Sequence, residues 1–525
     1  MSKRFYITTA IYYVNGAPHL GHAYEKIITD VIARSRRFMG EEVFFLTGID
    51  EHGQKVQQAA DAEGKSAQAY TDGFATIWKA FAAKLGLSNQ DFIRTTDTRH
   101  KEVVQAVLSK LNAQGDLYKE PYKGFYSVKE ETFLTEKDRN PDGTWAAQWG
   151  EVVELVEHNW YFKMGQHQQW LIDYIEANPQ FIQPDNRRNE VLGFLRSEKL
   201  EDLCITRPKA RLSWGIPLPF DPEFVTYVWF DALTNYITVP ASLGDPAVVD
   251  QLKGFYDPAS GIRHPASELW PADAHVIGKD ILKFHGVYWP IMLKAMGVAL
   301  PKQILAHGWW QKDGAKMSKS TGNVVDPVTV IDEWGLDAFR FYVVRELAIG
   351  PDGNWTDAGF ESRYNAELAN GLGNLLNRSI SMLNKYRDGV VPARSDTLEP
   401  DATKAIAETV ALLKANDLQE ALVAIWSLVN RANKFIDETR PFTLAKDPAK
   451  AGELDAVLYN LIESCRILAV LLTPFIPTSA TKILGQLGFE QTGVTVWDAK
   501  WGNLPAGHKV NAPQPLFPKK EKPKA

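Results

Sequence analysis

Arg4-Phe5-Tyr6-Ile7-Thr8-Thr9-Ala10-Ile11-Tyr12 leads through Asn15-Gly16-Ala17-Pro18 into His19-Leu20-Gly21-His22, and this stretch decides the fold. Its first part is rich in β-branched and aromatic residues and reads as a buried β-strand. The Asn-Gly-Ala-Pro segment is a turn. A helix then opens near His22, with Ala23, Ile27, Ile28, Val31 and Ile32 on one face and Gly40 as its stop. Residues 42–49 read as a second strand. Strand, turn, helix and strand make a βαβ unit, which implies a parallel sheet with a right-handed crossover.

Working outward, helical patterns at 66–85 and 98–114 flank a strand at 91–95. Between 116 and 225 short aromatic runs are broken by Asn140-Pro141-Asp142-Gly143 and Asn178-Pro179. That texture reads as a mixed insertion. Strands resume at 226–230, 274–277 and 303–306. After Trp355 strand signals fade, and residues 360–490 carry 3.6-period apolar spacing, as in Leu372, Leu375, Leu376, Ile380 and Leu383. The expected fold class is α/β, a Rossmann-like parallel-sheet nucleotide-binding domain with a mixed insertion, followed by an all-α helical bundle. Two halves of the α/β domain are expected at 1–115 and 226–310, with the insertion at 116–225 and the bundle at 361–500.

A chain of 525 residues exceeds one core. Hydrophobic residues are 45% and charged residues 23%, which argues against global disorder. Met1-Ser2-Lys3-Arg4 runs straight into the first strand, so no leader is expected. The longest apolar run, 467–476, is interrupted by Thr473 and Pro474 and is too short for a bilayer, so no membrane partner is expected. Only Cys204 and Cys465 are present, which suits a reducing cytoplasm. The net charge of −6 excludes a globally basic nucleic-acid binder and confines any RNA contact to a local surface. Lys519, Lys520, Lys522 and Lys524, interleaved with Pro515, Pro518 and Pro523, read as an extended basic tail at 501–525, disordered and solubilising.

His19-Leu20-Gly21-His22 falls where the first strand hands over to a helix. Backbone N–H groups and the helix dipole face an anion there, and Gly21 permits close approach of a nucleotide. Far along the chain, Lys316-Met317-Ser318-Lys319-Ser320 follows an Asp313-Gly314 turn, placing two lysines on a mobile surface loop. Flexible ammonium groups are suited to a departing pyrophosphate. Either segment alone reads as solvated surface. Together, in this order within an α/β fold, they point to activation of a carboxylate by ATP.

These two segments resemble the HIGH and KMSKS signatures of class I aminoacyl-tRNA synthetases. Further segments narrow the resemblance to the methionyl-tRNA synthetase family: Thr9-Ala10-Ile11-Tyr12-Tyr13-Val14-Asn15-Gly16, Asp50-Glu51-His52-Gly53, Trp214-Gly215-Ile216-Pro217, Tyr227-Val228-Trp229-Phe230-Asp231-Ala232-Leu233 and Gly278-Lys279-Asp280-Ile281. The likeness runs from about residue 4 to about 445, and more weakly to Phe517.

The resemblance implies catalytic roles for His19, His22, Lys316 and Lys319, and ATP contacts from those residues together with Gly21, Met317, Ser318 and Ser320. It implies a methionine pocket of Ile11, Tyr13, Trp229, Leu233, Tyr236 and His285, with Asp50 holding the substrate ammonium. Aromatic rings against a thioether suit methionine, and His285 and Tyr236 could bond its sulfur weakly. It also implies that Asn374 and Arg378, four apart on one helix face, read the anticodon, with Phe442 as a stacking platform where the family usually has tryptophan. The span 311–360 becomes the KMSKS loop and stem-contact region. Substrates are L-methionine, ATP with Mg²⁺, and initiator and elongator tRNA(Met). Many relatives carry a cysteine-liganded zinc knuckle in the insertion. Here Gly124-Phe125-Tyr126-Ser127-Val128-Lys129-Glu130-Glu131 has no thiolate, so no structural zinc is expected, and Trp145, Trp149 and Trp160 are expected to hold the insertion by packing. No additional tRNA-binding domain is read after residue 500, which leads to the expectation of a monomer.

The alternative within enzymes is a class I synthetase for another small apolar amino acid. A small-cofactor nucleotidyltransferase shares the first motif but has no use for the helical region. A tRNA-binding protein without activity does not account for both motifs intact. The amino acid that supports ATP–pyrophosphate exchange separates them.

Overall fold

The computed structural model describes residues 4–14, 16–130, 132–134, 138–258, 268–317, 322–490 and 493–520. The chain divides into two compact units. The first comprises Met1–Pro18, Phe44–Ala83 and Asn89–His307; the second His19–Val43, Lys84–Ser88 and Gly308–Ala525.

The first unit is built on a six-stranded sheet in the spatial order Asp91–Arg94, Val43–Asp50, Phe5–Tyr13, Ala274–Gly278, Ile304–His307 and Ile182–Gln183. Phe5–Tyr13 runs parallel to Ala274–Gly278, which runs parallel to Ile304–His307. The four central strands are buried on both faces along most of their length, as a covered parallel sheet requires. Gly48 is needed where neighbours crowd Val43–Asp50: a Cβ there would collide with the Ile93 carbonyl and press on Ile11.

Two expectations for this unit are corrected. Residues 226–230 are not a strand. A strand, Asp221–Thr226, ends there and the helix Val228–Ser242 begins. That helix is buried on nearly every side, so it shows no one-sided stripe by which to recognise it. The span 116–225 is also not wholly an insertion. Ile182–Gln183, between helices Gln168–Ala177 and Asp185–Ser197, returns to the edge of the main sheet beside Ile304–His307.

The remainder of that span folds as a long antiparallel pair, Leu117–Ser127 with Val152–Phe162, and a small three-stranded sheet that contains Asp221–Thr226. At the tip, Ser127 Oγ donates to the Trp149 carbonyl at 2.5 Å and accepts from the Glu130 N–H at 3.0 Å. The Arg139 guanidinium lies 4.4 Å from the Phe125 ring and 4.7 Å from Trp145. Trp160 packs edge-on to Phe220 and donates to Asp221 at 2.9 Å. A hydroxyl-closed turn and a guanidinium packed on two touching rings thus organise this lobe.

In the second unit the helix Leu20–Phe38 is buried almost throughout, including Glu25, Lys26 and Asp30. Asp30 ion-pairs with Arg340 at 2.7 Å, both side chains fully buried. Arg340 also donates to the carbonyls of Phe475, Leu85 and Pro474. Asp30 accepts from the Ser88 N–H and hydroxyl at 2.7 and 2.6 Å. Burial opposes its ionisation, but Arg340, Arg34 and Ser88 hold the carboxyl below the usual carboxylate range. Helices Glu399–Lys414, Leu418–Thr439 and Ala451–Leu472 pack on one another in the bundle, the last buried on all sides from Val457 onward.

The C-terminal segment is also corrected. Through residue 520 it packs rather than floats. Val510 is buried, Val390 bridges Lys509, Tyr364 donates to the Pro518 carbonyl at 2.9 Å, and Lys520 lies 4.7 Å over Trp334.

Asp30→Asn leaves the Arg340 charge buried and uncompensated. Urea unfolding should show a loss of about 3–5 kcal/mol, and a loss below about 1 kcal/mol would contradict the weight given to this pair.

Candidate active site

In the second unit, His19 is the N-cap of Leu20–Phe38. Its Nδ1 accepts from the Gly21 N–H at 3.1 Å, and His22 Nδ1 accepts from the His19 N–H at 3.2 Å. The two rings stack at 3.7 Å. Because each Nδ1 is an acceptor, the neutral imidazole carries its proton on Nε2. The capping box therefore fixes both tautomers as Nε2–H donors at a helix N-terminus, where an anion is favoured.

Lys316 lies in the strand Ala315–Lys316, antiparallel to Trp310–Lys312, rather than on a loop. Asp313 and Gly314 both have positive φ, 52° and 77°, as a tight two-residue hairpin turn requires. Trp310 at the base of this hairpin meets Tyr24 edge-on at 5.8 Å. Tyr24 is two residues beyond His22, so one aromatic contact ties the hairpin to the histidine-bearing helix. Met317 is the last described residue before Gly322; Ser318, Lys319 and Ser320 lie outside the described residues.

In the first unit, Ile11 and Tyr13 alternate at the end of their strand and so share a face. Trp229, Leu233 and Tyr236 recur at i, i+4 and i+7 along Val228–Ser242 and share a stripe. Asp50 ends its strand, buried, and its carbonyl accepts from the Val14 N–H at 3.2 Å. His285 sits in the π-helical turn Phe284–Tyr288. Its Nδ1 meets the Ile281 carbonyl at 2.9 Å and must donate; its Nε2 therefore accepts from the Tyr236 hydroxyl at 2.7 Å.

Sequence reasoning missed the layer behind this wall. Phe284 stacks on Trp229 at 3.6 Å with the planes 5° apart. His275 lies under Tyr236 at 4.1 Å. It is held between Thr8 Oγ1 at 2.9 Å and Trp289 Nε1 at 3.3 Å. Burial, with His285 nearby, pushes its pKa well down, so it is a neutral ring. Asp231 is bracketed by His52 and His100. Both Asp231 and His52 stand inside quoted motifs, but nothing local in the sequence couples them.

On the bundle, Asn374 is exposed and opens the helix Asn374–Arg387. Arg378, one turn on, pairs with Asp437 at 3.2 Å. Phe442, five residues beyond Asp437, is 50% exposed. It is therefore not part of the bundle core. Among the described residues no group of three His, Cys, Asp or Glu side chains could hold a metal ion, and no helix is long and apolar enough to cross a membrane.

Residues 5–380 match the family described as tRNA synthetases class I (M), and residues 387–524 match the anticodon binding domain of methionyl tRNA ligase. The methionine–tRNA ligase of Bacillus subtilis (strain 168) is 45% identical over 539 residues, which cover 99% of this chain and 78% of that one. That of Caldanaerobacter subterraneus subsp. tengcongensis is 42% identical over 526 residues. The crystal structure of Mycobacterium tuberculosis methionyl-tRNA synthetase in complex with methionyl-adenylate superposes with a TM-score of 0.89 at 38% identity, covering 98% of this chain and 100% of that one. The chain belongs to the methionyl-tRNA synthetases, the methionine–tRNA ligases among the class I enzymes.

Proposed function

We propose that this chain joins L-methionine to initiator and elongator tRNA(Met) at the expense of MgATP, and that the residues described above divide the work as follows. A methionine carboxylate oxygen attacks the α-phosphorus, the bond to the bridging oxygen breaks, and pyrophosphate leaves. A hydroxyl of the 3′-terminal adenosine then attacks the methionyl carbonyl, and AMP leaves. No covalent enzyme intermediate is needed. Catalysis is positioning plus stabilisation of developing charge.

The observation that carries the ATP assignment is the double histidine cap. Two Nε2–H donors, pre-set by backbone bonds at a helix N-terminus, suit the α-phosphate with no reorganisation during reaction. Gly21 gives the nucleotide access to the backbone. Lys316 and Lys319 neutralise the departing pyrophosphate, with Met317, Ser318 and Ser320 as further ATP contacts.

For methionine, Asp50 takes the ammonium. Ile11, Tyr13, Trp229, Leu233, Tyr236 and His285 take the side chain. The Tyr236 and His285 protons are committed to His285 and the Ile281 carbonyl. Selection of the thioether therefore leans on shape and polarizable contact rather than a hydrogen bond. Such a pocket distinguishes one methylene by only about 1–3 kcal/mol. Asn374 and Arg378 contact splayed anticodon bases, and Phe442 stacks on one of them. We also propose that the enzyme acts as a cytoplasmic monomer. Analytical ultracentrifugation returning a dimer at working concentration would refute the second part.

Lys319→Ala should lower methionine-dependent ATP–pyrophosphate exchange by roughly a hundredfold or more, as for loss of one preorganised charge-stabilising donor. Methionine affinity, read by equilibrium dialysis, should hold; its collapse would show that the loop does something else.

The insertion tip is proposed to hold its shape without zinc, supported by the Ser127 turn and the cluster of Phe125, Arg139 and Trp145. Elemental analysis should find far less than one zinc per chain, and chelator treatment at saturating Mg²⁺ should spare activity. A tightly bound stoichiometric zinc would refute this.

A further inference from the structure

Asp231 is fully buried in the first turn of Val228–Ser242, between Trp229 and Leu233. Its Oδ2 meets His52 Nδ1 at 2.6 Å and its Oδ1 meets His100 Nε2 at 2.7 Å. His100, buried on Thr98–Ala113, bonds Thr238 Oγ1 at 2.9 Å through its other nitrogen. Thr238 lies two turns further along the helix that carries Asp231. His52 is two residues beyond Asp50. One carboxylate thus joins three segments: the turn that presents Asp50, the helix that presents Trp229, Leu233 and Tyr236, and a third helix behind them.

The turn at Asp50 is fixed on its other side as well. Glu51 is fully buried and accepts from Arg94 Nε at 2.9 and 3.1 Å; its N–H donates to Thr95 Oγ1 at 2.9 Å. Trp214 Nε1 donates to the Glu51 carbonyl at 2.5 Å. With that turn immobile, the link through Asp231 is what sets how far the helix stands from it. Burial penalises the charged form of Asp231, yet His52 and His100 hold its pKa down to about 2, so it faces both rings as a carboxylate across the working pH range.

We propose that Asp231 is a positioning residue for amino-acid selection: gripped by His52 and His100, it fixes the distance between the carboxylate that holds the substrate ammonium and the aromatic wall that holds its side chain. The inference rests on the pocket reading given above. Neutralising Asp231 weakens both grips and leaves two imidazoles facing an amide that offers one acceptor instead of two. The helix is then free to shift, and the gap that measures side-chain length loosens.

The test is a ratio. kcat/KM in ATP–pyrophosphate exchange is measured for methionine and for its homologue with one extra methylene between Cα and sulfur. Wild type discriminates between them. Asp231→Asn should lower that ratio roughly tenfold, within the span one methylene commands, and raise the methionine KM while the ATP KM holds. Loss of folded protein alone lowers both numerators equally and leaves the ratio where it was. His52→Phe serves if Asp231→Asn does not fold, and its ratio should also fall. His52→Asn, whose Nδ2 reaches where the imidazole Nδ1 does, should restore most of it. A ratio within about twofold of wild type in both Asp231→Asn and His52→Phe overturns the proposal. Trp229→Ala is the control. If it leaves the methionine KM unmoved, the pocket reading itself fails. If it raises that KM while the ratio in the other variants holds, only the role of Asp231 fails.

Discussion

A fully buried carboxylate facing a fully buried guanidinium, Asp30 and Arg340 at 2.7 Å, is the constraint that organises the second unit. Placing either charge there alone is costly, because desolvation costs several kcal/mol per ion. Each is therefore surrounded by further partners. Asp30 takes two bonds from Ser88, and Arg340 reaches carbonyls at Leu85, Pro474 and Phe475. Four distant stretches of chain must arrive together to satisfy one pair. The helix that begins with His19 and His22 is thereby locked to the helices that follow the hairpin of Lys316. The register of the double histidine cap is inherited from this lock.

Aromatic contacts extend the same order outward. Tyr24 meets Trp310, Trp310 meets Trp355, and Trp355 meets Phe360 at 5.2 Å. Phe360 meets Trp334, Trp334 meets Tyr364, and Tyr364 meets Phe517. This row runs from the histidine-capped helix, past the hairpin, to the C-terminal segment. Ring contacts of this kind are directional, so the row fixes the base of the hairpin at Trp310. The first unit uses a different device for the same end. There the positions of the wall residues follow from a neutral His275 under Tyr236 and an ionised Asp231 between two histidines.

Local chemistry was legible in the sequence, and long-range pairing was not. The first strand, the histidine turn and the helix after it follow from residue types within a few positions of each other. Trp229, Leu233 and Tyr236 come to the pocket through the family resemblance, not through a periodicity of their own. The helix that carries them was nevertheless misread at its start, because burial on all sides erases the periodic signal. His52 and Asp231 are 179 positions apart, and no local pattern couples them. The C-terminal segment looked disordered because proline and lysine dominate it. It docks through isolated anchors, Val510, Phe517, Pro518 and Lys520, that composition cannot register. The absence of thiolates is plain from residue types, whereas the Ser127 hydroxyl closes the same turn through a backbone contact that residue types do not reveal.

The central claim is that one chain houses two separable tasks, amino-acid activation and RNA reading, the second through an exposed surface of the helical bundle. Phe442→Ala tests it most directly, with both reactions and the melting temperature measured on one preparation. Aromatic stacking on a base is worth roughly 1–3 kcal/mol, so kcat/KM for tRNA aminoacylation should fall by about ten- to a hundredfold. Methionine-dependent ATP–pyrophosphate exchange and Tm should stay at wild-type values, since Phe442 is half exposed and buries little on folding. Equal losses in both reactions, or an unchanged aminoacylation rate, would contradict the account.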